Sequence, residues 1–470
     1  MSAFKPKTPI GPDTYAVIMP GVTSKTQALA ERLLSKNHQE FHIFFNEKKF
    51  HNHLTHHLLA AYSLGATPER LQEIYDSHAS FQRHLTPPQG ESLTRENYQS
   101  ALGKADEYVR FLRLFTEEIQ SHGVVDTVRR WVWSGDMLAR TVGGAFHPII
   151  HIGYGLEFDL AGQVAEGLAL AAVTNSTFSP IIPGYESVKT KSFLIPKQAA
   201  SVAATASSSA MDMVSHLTTQ MSTQLGFGSK SSGSESEKTA SLQDHIESNS
   251  IMKIVRAMQQ DSAFDGVVNF DDSNKLGNVL ADEKCVSKLK EYLAQWKVEE
   301  NAKDVQTKYK DLYTAAVIIY GASGMREGKV KLDFFLMHGV TSSSFIQHVL
   351  PYVTPSEGAA LLRAEAAALL GLYVARGRPS LQIDLLLNYK SPNCSTDSHN
   401  PWLTVIDKSL DCKEEHVIKT VRACALGQIR WGDCEDDDLS KIWLHGAQVA
   451  VDQNGVWDRK GLGFIETWED

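Results

Sequence analysis

Four histidines, His51, His53, His56 and His57, fall within seven residues of the stretch FHNHLTHHLLAAYSLGA, which then turns almost wholly apolar. Imidazole both ligates transition metals and exchanges protons near neutral pH. His53 and His57 are four apart, and His57 borders the face defined by Leu54, Leu58 and Ala61, so His57 is expected to look inward and His56 away. A second group lies in GGAFHPIIHIGYGLEF, where Gly143 and Gly144 break the chain, Pro148 suits a first helical turn, and His147 and His151 share a face. In DFFLMHGVTSSSF an apolar run leads to His338, with Thr341 three residues on. In KEEHVIKTVRACALG, His416 and Lys419 share one face of a helix whose core side carries Val417, Val421 and Cys424. Imidazoles at helical spacing, gathered from several helices, are how an all-helical protein builds a nitrogen-rich site for iron, zinc or copper. Taken singly, each histidine is as well explained as a core residue bonded to a carbonyl, and Lys419 as a lysine facing solvent. Four such clusters in apolar or glycine-broken settings favour the metal site.

Helices must position these residues. A helix is expected from Leu54, and TPERLQEIYDSHASFQRHL carries a Thr67 cap, Pro68 in its first turn, and Glu69 and Glu73 near the positive end of the dipole. LEFDLAGQVAEGLALAAV places Leu156, Leu160, Val164, Leu168 and Ala172 on one stripe, and EGAALLRAEAAALLGLYVARGRP is rich in Ala and Leu before Gly377 and Pro379 stop it. Further helices are expected at 99–121, 280–299, 402–410, 413–427 and 438–451, with few strands. The fold class is therefore mainly α. Between residues 198 and 249 the chain becomes a Ser/Gly/Lys/Glu mixture with too little apolar surface to offset its ordering entropy. We take 1–470 as a single helical domain carrying a flexible low-complexity insertion at 198–249, because histidine-bearing helices lie on both sides of it; a linker between two domains is the alternative.

Composition narrows the class. The 470 residues are 42% hydrophobic and 21% charged, as in a soluble globular protein, with no apolar run near the roughly 20 residues that span a bilayer. No secretory leader is evident, so the cytoplasm is the expected location. The five cysteines show no CxxC spacing, which argues against a disulfide framework or a thiolate zinc knuckle. A net charge of −9 without a Lys/Arg stripe argues against nucleic acid. Gly321, Gly324 and Gly328 follow a β-branched run, but the chain then enters KLDFFLMHGV rather than a βαβ unit, so an interhelical turn is expected. No P-loop, GxSxG or HExxH occurs. Trp131, Trp133, Tyr154 and Phe158 read as core.

Taken in order, NHLTHHLLAAYSLGA, FHPIIHIGYGLEF, DFFLMHGVTSS and EEHVIKTVRA resemble the questin oxidase-like family of fungal secondary metabolism, over about residues 41–426. The resemblance implies an oxygen-using enzyme that opens a ring of an anthraquinone or related aromatic polyketide by C–C cleavage. It also implies Fe(II) held by His147, His151, His338 and His416 with Lys419 carboxylated by CO2, the carboxylated lysine supplying the anionic oxygen that Asp or Glu provides in other iron sites. His57 is then the proton donor or acceptor and Thr341 the hydroxyl that orients substrate or dioxygen, with His53 or His57 as alternative ligands. The partners implied are the polyketide and O2. Two rival readings are an NADPH-dependent Baeyer-Villiger-type monooxygenase, for which the sequence has no flavin fingerprint, and a non-catalytic helical binder of aromatic pigments.

Overall fold

The computed structural model describes residues 2–10, 14–184, 250–394, 399–432 and 437–469. The expected insertion at 198–249 lies outside the described residues. Among these, eighteen α-helices follow in chain order: α1 (Ser24–Glu40), α2 (Leu54–Ser63), α3 (Pro68–Ala79), α4 (Tyr108–His122), α5 (Val124–Val132), α6 (Met137–Thr141), α7 (His147–Phe158), α8 (Ala161–Val173), α9 (Ser250–Gln260), α10 (Lys275–Ala281), α11 (Glu283–Gln295), α12 (Ala302–Ser323), α13 (Phe334–Val349), α14 (Pro355–Ala375), α15 (Ile383–Leu387), α16 (Pro401–Asp411), α17 (Glu415–Trp431) and α18 (Asp437–Gln453). Paired strands are two residues long: Met325–Arg326 runs antiparallel to Lys329–Val330, and Leu332–Asp333 parallel to Trp457–Asp458. The chain is mainly α.

Local chemistry sets many of these ends. Thr67 caps α3 by accepting from the Arg70 amide, with Pro68 in the first turn. Thr354 and Glu357 form a capping box on α14, and Asp333 caps α13 through the amides of Phe335 and Leu336. Three expected helices differ. The one expected at 99–121 begins only at Tyr108, because Gly103 adopts φ +77° and two 3-10 turns precede it. The one expected at 280–299 is α10 and α11, divided where Asp282 caps the second. The stripe from Leu156 to Ala172 is two helices, broken where Asp159 takes φ +57°. Gly321 lies inside α12, and the expected turn is a short hairpin with Gly328 at its tip.

One described helix, α14, is long and apolar enough to cross a membrane by length and composition, contrary to the sequence expectation. It is buried along most of its length, so packing within the fold accounts for its apolarity. Helices from both sides of residues 185–249 meet: α13 packs against α7 and α17, and α2 against α17. Trp131, Tyr154 and Phe158 are buried and Trp133 is partly so, its indole N–H donating to the Glu357 carbonyl. Cys285, Cys394, Cys412 and Cys424 are buried free thiols.

Close approach of α7 and α13 depends on Gly153, where a Cβ would lie 2.3 Å from the Phe345 side chain. Overpacking of this kind costs about 1–3 kcal/mol. Gly153→Ala is therefore expected to lower the unfolding free energy measured in urea by that amount, and an unchanged midpoint would show that the two helices can part freely.

Candidate metal centre

One ring nitrogen from each of His53, His147, His338 and His416 lies within 4.8 Å of the others. The rings form a closed circuit, with centroid separations of 4.8 Å for His53–His147, 4.7 Å for His147–His338, 5.0 Å for His338–His416 and 4.7 Å for His416–His53. All four side chains are buried. Three sit where a helix begins: His53 is the N-cap of α2, His147 the first residue of α7, and His416 the second of α17. His338 lies one turn into α13.

Hydrogen bonds fix which nitrogen each ring offers. His147 Nδ1–H donates to the Gly144 carbonyl at 2.7 Å and His338 Nδ1–H to the Phe334 carbonyl at 2.7 Å. His416 Nδ1–H donates to the Glu414 carboxylate, and His53 Nδ1 faces a Glu415 carboxylate oxygen at 3.4 Å. The outer nitrogens of His147, His338 and His416 are thus held by oxygen acceptors, the arrangement that orients metal-binding histidines. The inner Nε2 atoms of His338 and His416 have no partner, and those of His53 and His147 stand 2.8 Å apart, a distance that a proton on one ring or a cation between them accounts for. The spacing also matches neighbouring ligands around an ion with bonds of about 2.1 Å.

Burial first, then neighbouring imidazoles and the Lys419 charge, pushes all four rings well below the usual histidine pKa, so they are neutral and able to coordinate. Lys419, one turn after His416, is buried with no partner for Nζ, and desolvation lowers its pKa to about 8 despite Glu415 and Glu414. A buried lysine whose amine has no hydrogen-bond partner is a poor structural residue and, once deprotonated, a good nucleophile.

The segment before His147 is strained. Gly144, Ala145 and Phe146 have φ of +53°, +52° and +62° in succession, so two non-glycine residues occupy the left-handed region next to a site residue. His51 stacks on His147 at 3.8 Å with planes 5° apart.

The structure gathers His147, His338 and His416 of the expected ligands, brings in His53, and leaves His151 outside. Both His151 nitrogens are engaged, Nε2 with Glu166 at 2.9 Å and Nδ1 with His56 at 3.0 Å. His56, expected to point outward, is buried, because α2 is enclosed on every side. His57 is buried and its Nδ1 meets His78 Nε2 at 3.1 Å, while its Nε2 has no partner. The Thr341 hydroxyl donates to the His338 carbonyl at 3.2 Å. Sequence reasoning did not single out His38, His78, Glu166, Glu414 or Glu415. Glu414 and Glu415 could have been found, since they adjoin His416; the others join the network only through the fold.

Fold and site together define a helical protein with a buried cluster of four histidines whose nitrogens could hold a metal ion. The sequence profile of the family described as questin oxidase-like matches residues 50–424. Among curated relatives, a Baeyer-Villiger oxidase, mdpL, of Emericella nidulans is 29% identical over 463 residues, covering 95% of this chain and 91% of the relative. A questin oxidase of Aspergillus terreus is 27% identical, covering 93% and 91%. The oxidoreductase AflY of Aspergillus parasiticus is 25% identical, covering 84% and 71%. The chain belongs to the questin oxidase-like family and is an oxidoreductase.

Proposed function

We propose that this protein is an iron-dependent dioxygenase that opens a ring of a hydroxylated anthraquinone or related aromatic polyketide by C–C cleavage. The ligands in this reading are His53, His147, His338 and His416, with Lys419 as its CO2-derived carbamate. The observation that carries it is the convergence of one ring nitrogen from each of four buried histidines within 4.8 Å, with Nε2 of His338 and His416 unpartnered and those of His53 and His147 2.8 Å apart. The names of the questin oxidase relatives support the substrate class. Fe(II) bound there supplies the electron-transfer and dioxygen-binding chemistry that side chains lack.

The residues themselves do the rest. Burial excludes water from the cluster. Phe334 lies edge-on to His338 and His416, at 4.7 Å and 4.9 Å, and gives a flat aromatic substrate an apolar neighbour. His57, through its unpartnered Nε2, exchanges protons with the substrate hydroxyls, and Thr341, one turn beyond His338, orients substrate or dioxygen. The unprotonated form of the Lys419 amine, made accessible by its lowered pKa of about 8, adds to CO2 and releases one proton on forming its carboxylate.

Metal analysis with aerobic and anaerobic assays tests this reading. About one iron per chain and strictly oxygen-dependent ring opening are expected, and full activity in metal-free protein would sink it. His338→Ala should lose iron and turnover together, whereas Thr341→Ala should keep iron and lose rate. The Baeyer-Villiger names of other relatives favour a second reading, NADPH-dependent monooxygenation of the same substrate class. Strict NADPH dependence with indifference to iron chelators would support that instead.

A further inference from the structure

Beside the cluster runs a second set of titratable groups that none of the roles above uses. His56 Nε2 meets His151 Nδ1 at 3.0 Å, His151 Nε2 meets Glu166 Oε2 at 2.9 Å, and Glu166 Oε1 meets His38 Nδ1 at 2.7 Å. The four residues come from four helices, α2, α7, α8 and α1. Exposure rises along the set: His151 and Glu166 are almost fully enclosed, at 1% and 3%, and the His38 side chain is 27% exposed. His56, at the other end, is 1% exposed, with its ring 6.0 Å from that of His53 and 6.3 Å from that of His147.

The carboxylate fixes the polarity of the whole chain. Glu166, held by hydrogen bonds from His151 and His38 against the cost of burial, has its pKa lowered to about 2, so at rest it is a carboxylate that accepts from both rings. His151 must therefore donate from Nε2, which leaves its Nδ1 as an acceptor. His56 must in turn donate from Nε2, which leaves His56 Nδ1 bare. That atom is buried and has no partner. Four hydrogen-bonding residues thus run from a vacant proton acceptor beside the cluster to a ring in contact with water.

We propose that His56, His151, Glu166 and His38 form a proton path between the histidine chamber and solvent, with His56 as its inner terminal. With His38 starting as the imidazolium, a proton arriving at His56 Nδ1 is balanced by transfer of His56 Nε2–H to His151 Nδ1 and of His151 Nε2–H to Glu166 Oε2, while His38 loses its Nε2 proton to water. One proton enters and one leaves, and the Glu166 carboxylate and His38 imidazolium become a carboxylic acid and a neutral imidazole, which the reverse uptake of a proton from water resets. Burial lowers the affinity of His38 for its second proton, but the Glu166 hydrogen bond and charge more than offset this, so the outer ring is readily protonated. The His57–His78 pair offers no such exit, because His78 Nδ1 is buried without a partner. His57 therefore serves the substrate locally while exchange with bulk water runs through His56. The path rests on the oxygenase reading only for its use, since a hydroxylated aromatic sheds a proton before its ring is oxidised.

Two measurements on the full chain test it. In metal-free protein labelled with 15N-histidine, the His56 Nε2 proton should exchange with water despite its burial, and Glu166→Gln should slow that exchange roughly 10-fold or more, as loss of a proton-transfer partner does. Glutamine keeps the shape of the side chain and can accept from one of the two rings, but it cannot carry a proton. In iron-loaded protein, His38→Ala should lower kcat with KM unchanged and raise the solvent isotope effect, and added imidazole should restore the rate. Unaltered His56 exchange in Glu166→Gln, or a slow His38→Ala enzyme that imidazole leaves slow, would overturn the path. Glu166-dependent exchange in a protein without oxygen-dependent turnover would leave the path standing and remove the oxygenase reading.

Discussion

Replacing Lys419 with alanine is expected to leave the fold intact and to abolish oxygen-dependent turnover together with bound iron. The reasoning starts from its surroundings. Nζ is buried, has no hydrogen-bond partner, and acts electrostatically on all four imidazoles of the cluster. An unmodified ammonium there would repel a cation, whereas the proposed carbamate would supply a negative oxygen one helical turn from His416. Loss of an outer partner of a metal ligand typically costs 10–100-fold in affinity or activity, so loss of a direct ligand should cost at least about 100-fold. Added bicarbonate should not restore the alanine variant. A second variant separates structure from chemistry: Lys419→Met fills the same space without a buried amine, and metal-free protein carrying it should be about 1–3 kcal/mol more stable than the parent. Normal iron content and rate in either variant would show that Lys419 is not a ligand.

The second large effect concerns stability. Arg422, on the same helix as Lys419, forms a buried ion pair with Glu157 of α7, while its Nε donates to Ser63 Oγ at 2.9 Å. The same Glu157 oxygen accepts from the Ala16 amide at 2.7 Å. Attraction to Arg422 holds the Glu157 pKa down against its burial. One pair therefore ties α2, α7, α17 and the N-terminal segment together. Removing one member leaves an uncompensated buried charge, which costs about 3–5 kcal/mol. Arg422→Ala should lower the urea midpoint accordingly, and Arg422→Met combined with Glu157→Leu should recover most of the loss. If the double replacement is as unstable as the single one, the loss comes from packing and not from the stranded carboxylate.

The helical class and several helix ends were legible in the sequence because they depend on neighbours in the chain. Thr67 and Pro68 announce α3, and the Ala/Leu run with its glycine stop announces α14. The break at Asp159 was not legible, since a non-glycine residue enters the left-handed region only when the surrounding fold holds it there. The clustering of His147, His338 and His416 could be anticipated from motifs. His53 stood there only as an alternative ligand beside His57, because helix spacing was applied across a boundary: Asn52 Oδ1 accepts from the Leu54 amide, so His53 stands at the helix cap and its ring follows different geometry. For His147 and His151, sharing a face was not enough. Four residues of helix separate them by about 6 Å along the axis, which carries the second past the cluster to Glu166. His38 and Glu166, 128 residues apart, had no local signature at all.

Three of the four clustered imidazoles stand where a helix starts, and this sets the electrical climate of the chamber. Each helix start carries roughly half a positive charge, which a dry interior screens poorly. A cation held among those nitrogens is easier to keep in its lower oxidation state than one held by the same rings at helix C-termini, and a negative oxygen at Lys419 is the counterweight. The redox poise of a metal bound there would therefore be governed as much by where these backbones begin to coil as by the side chains they carry.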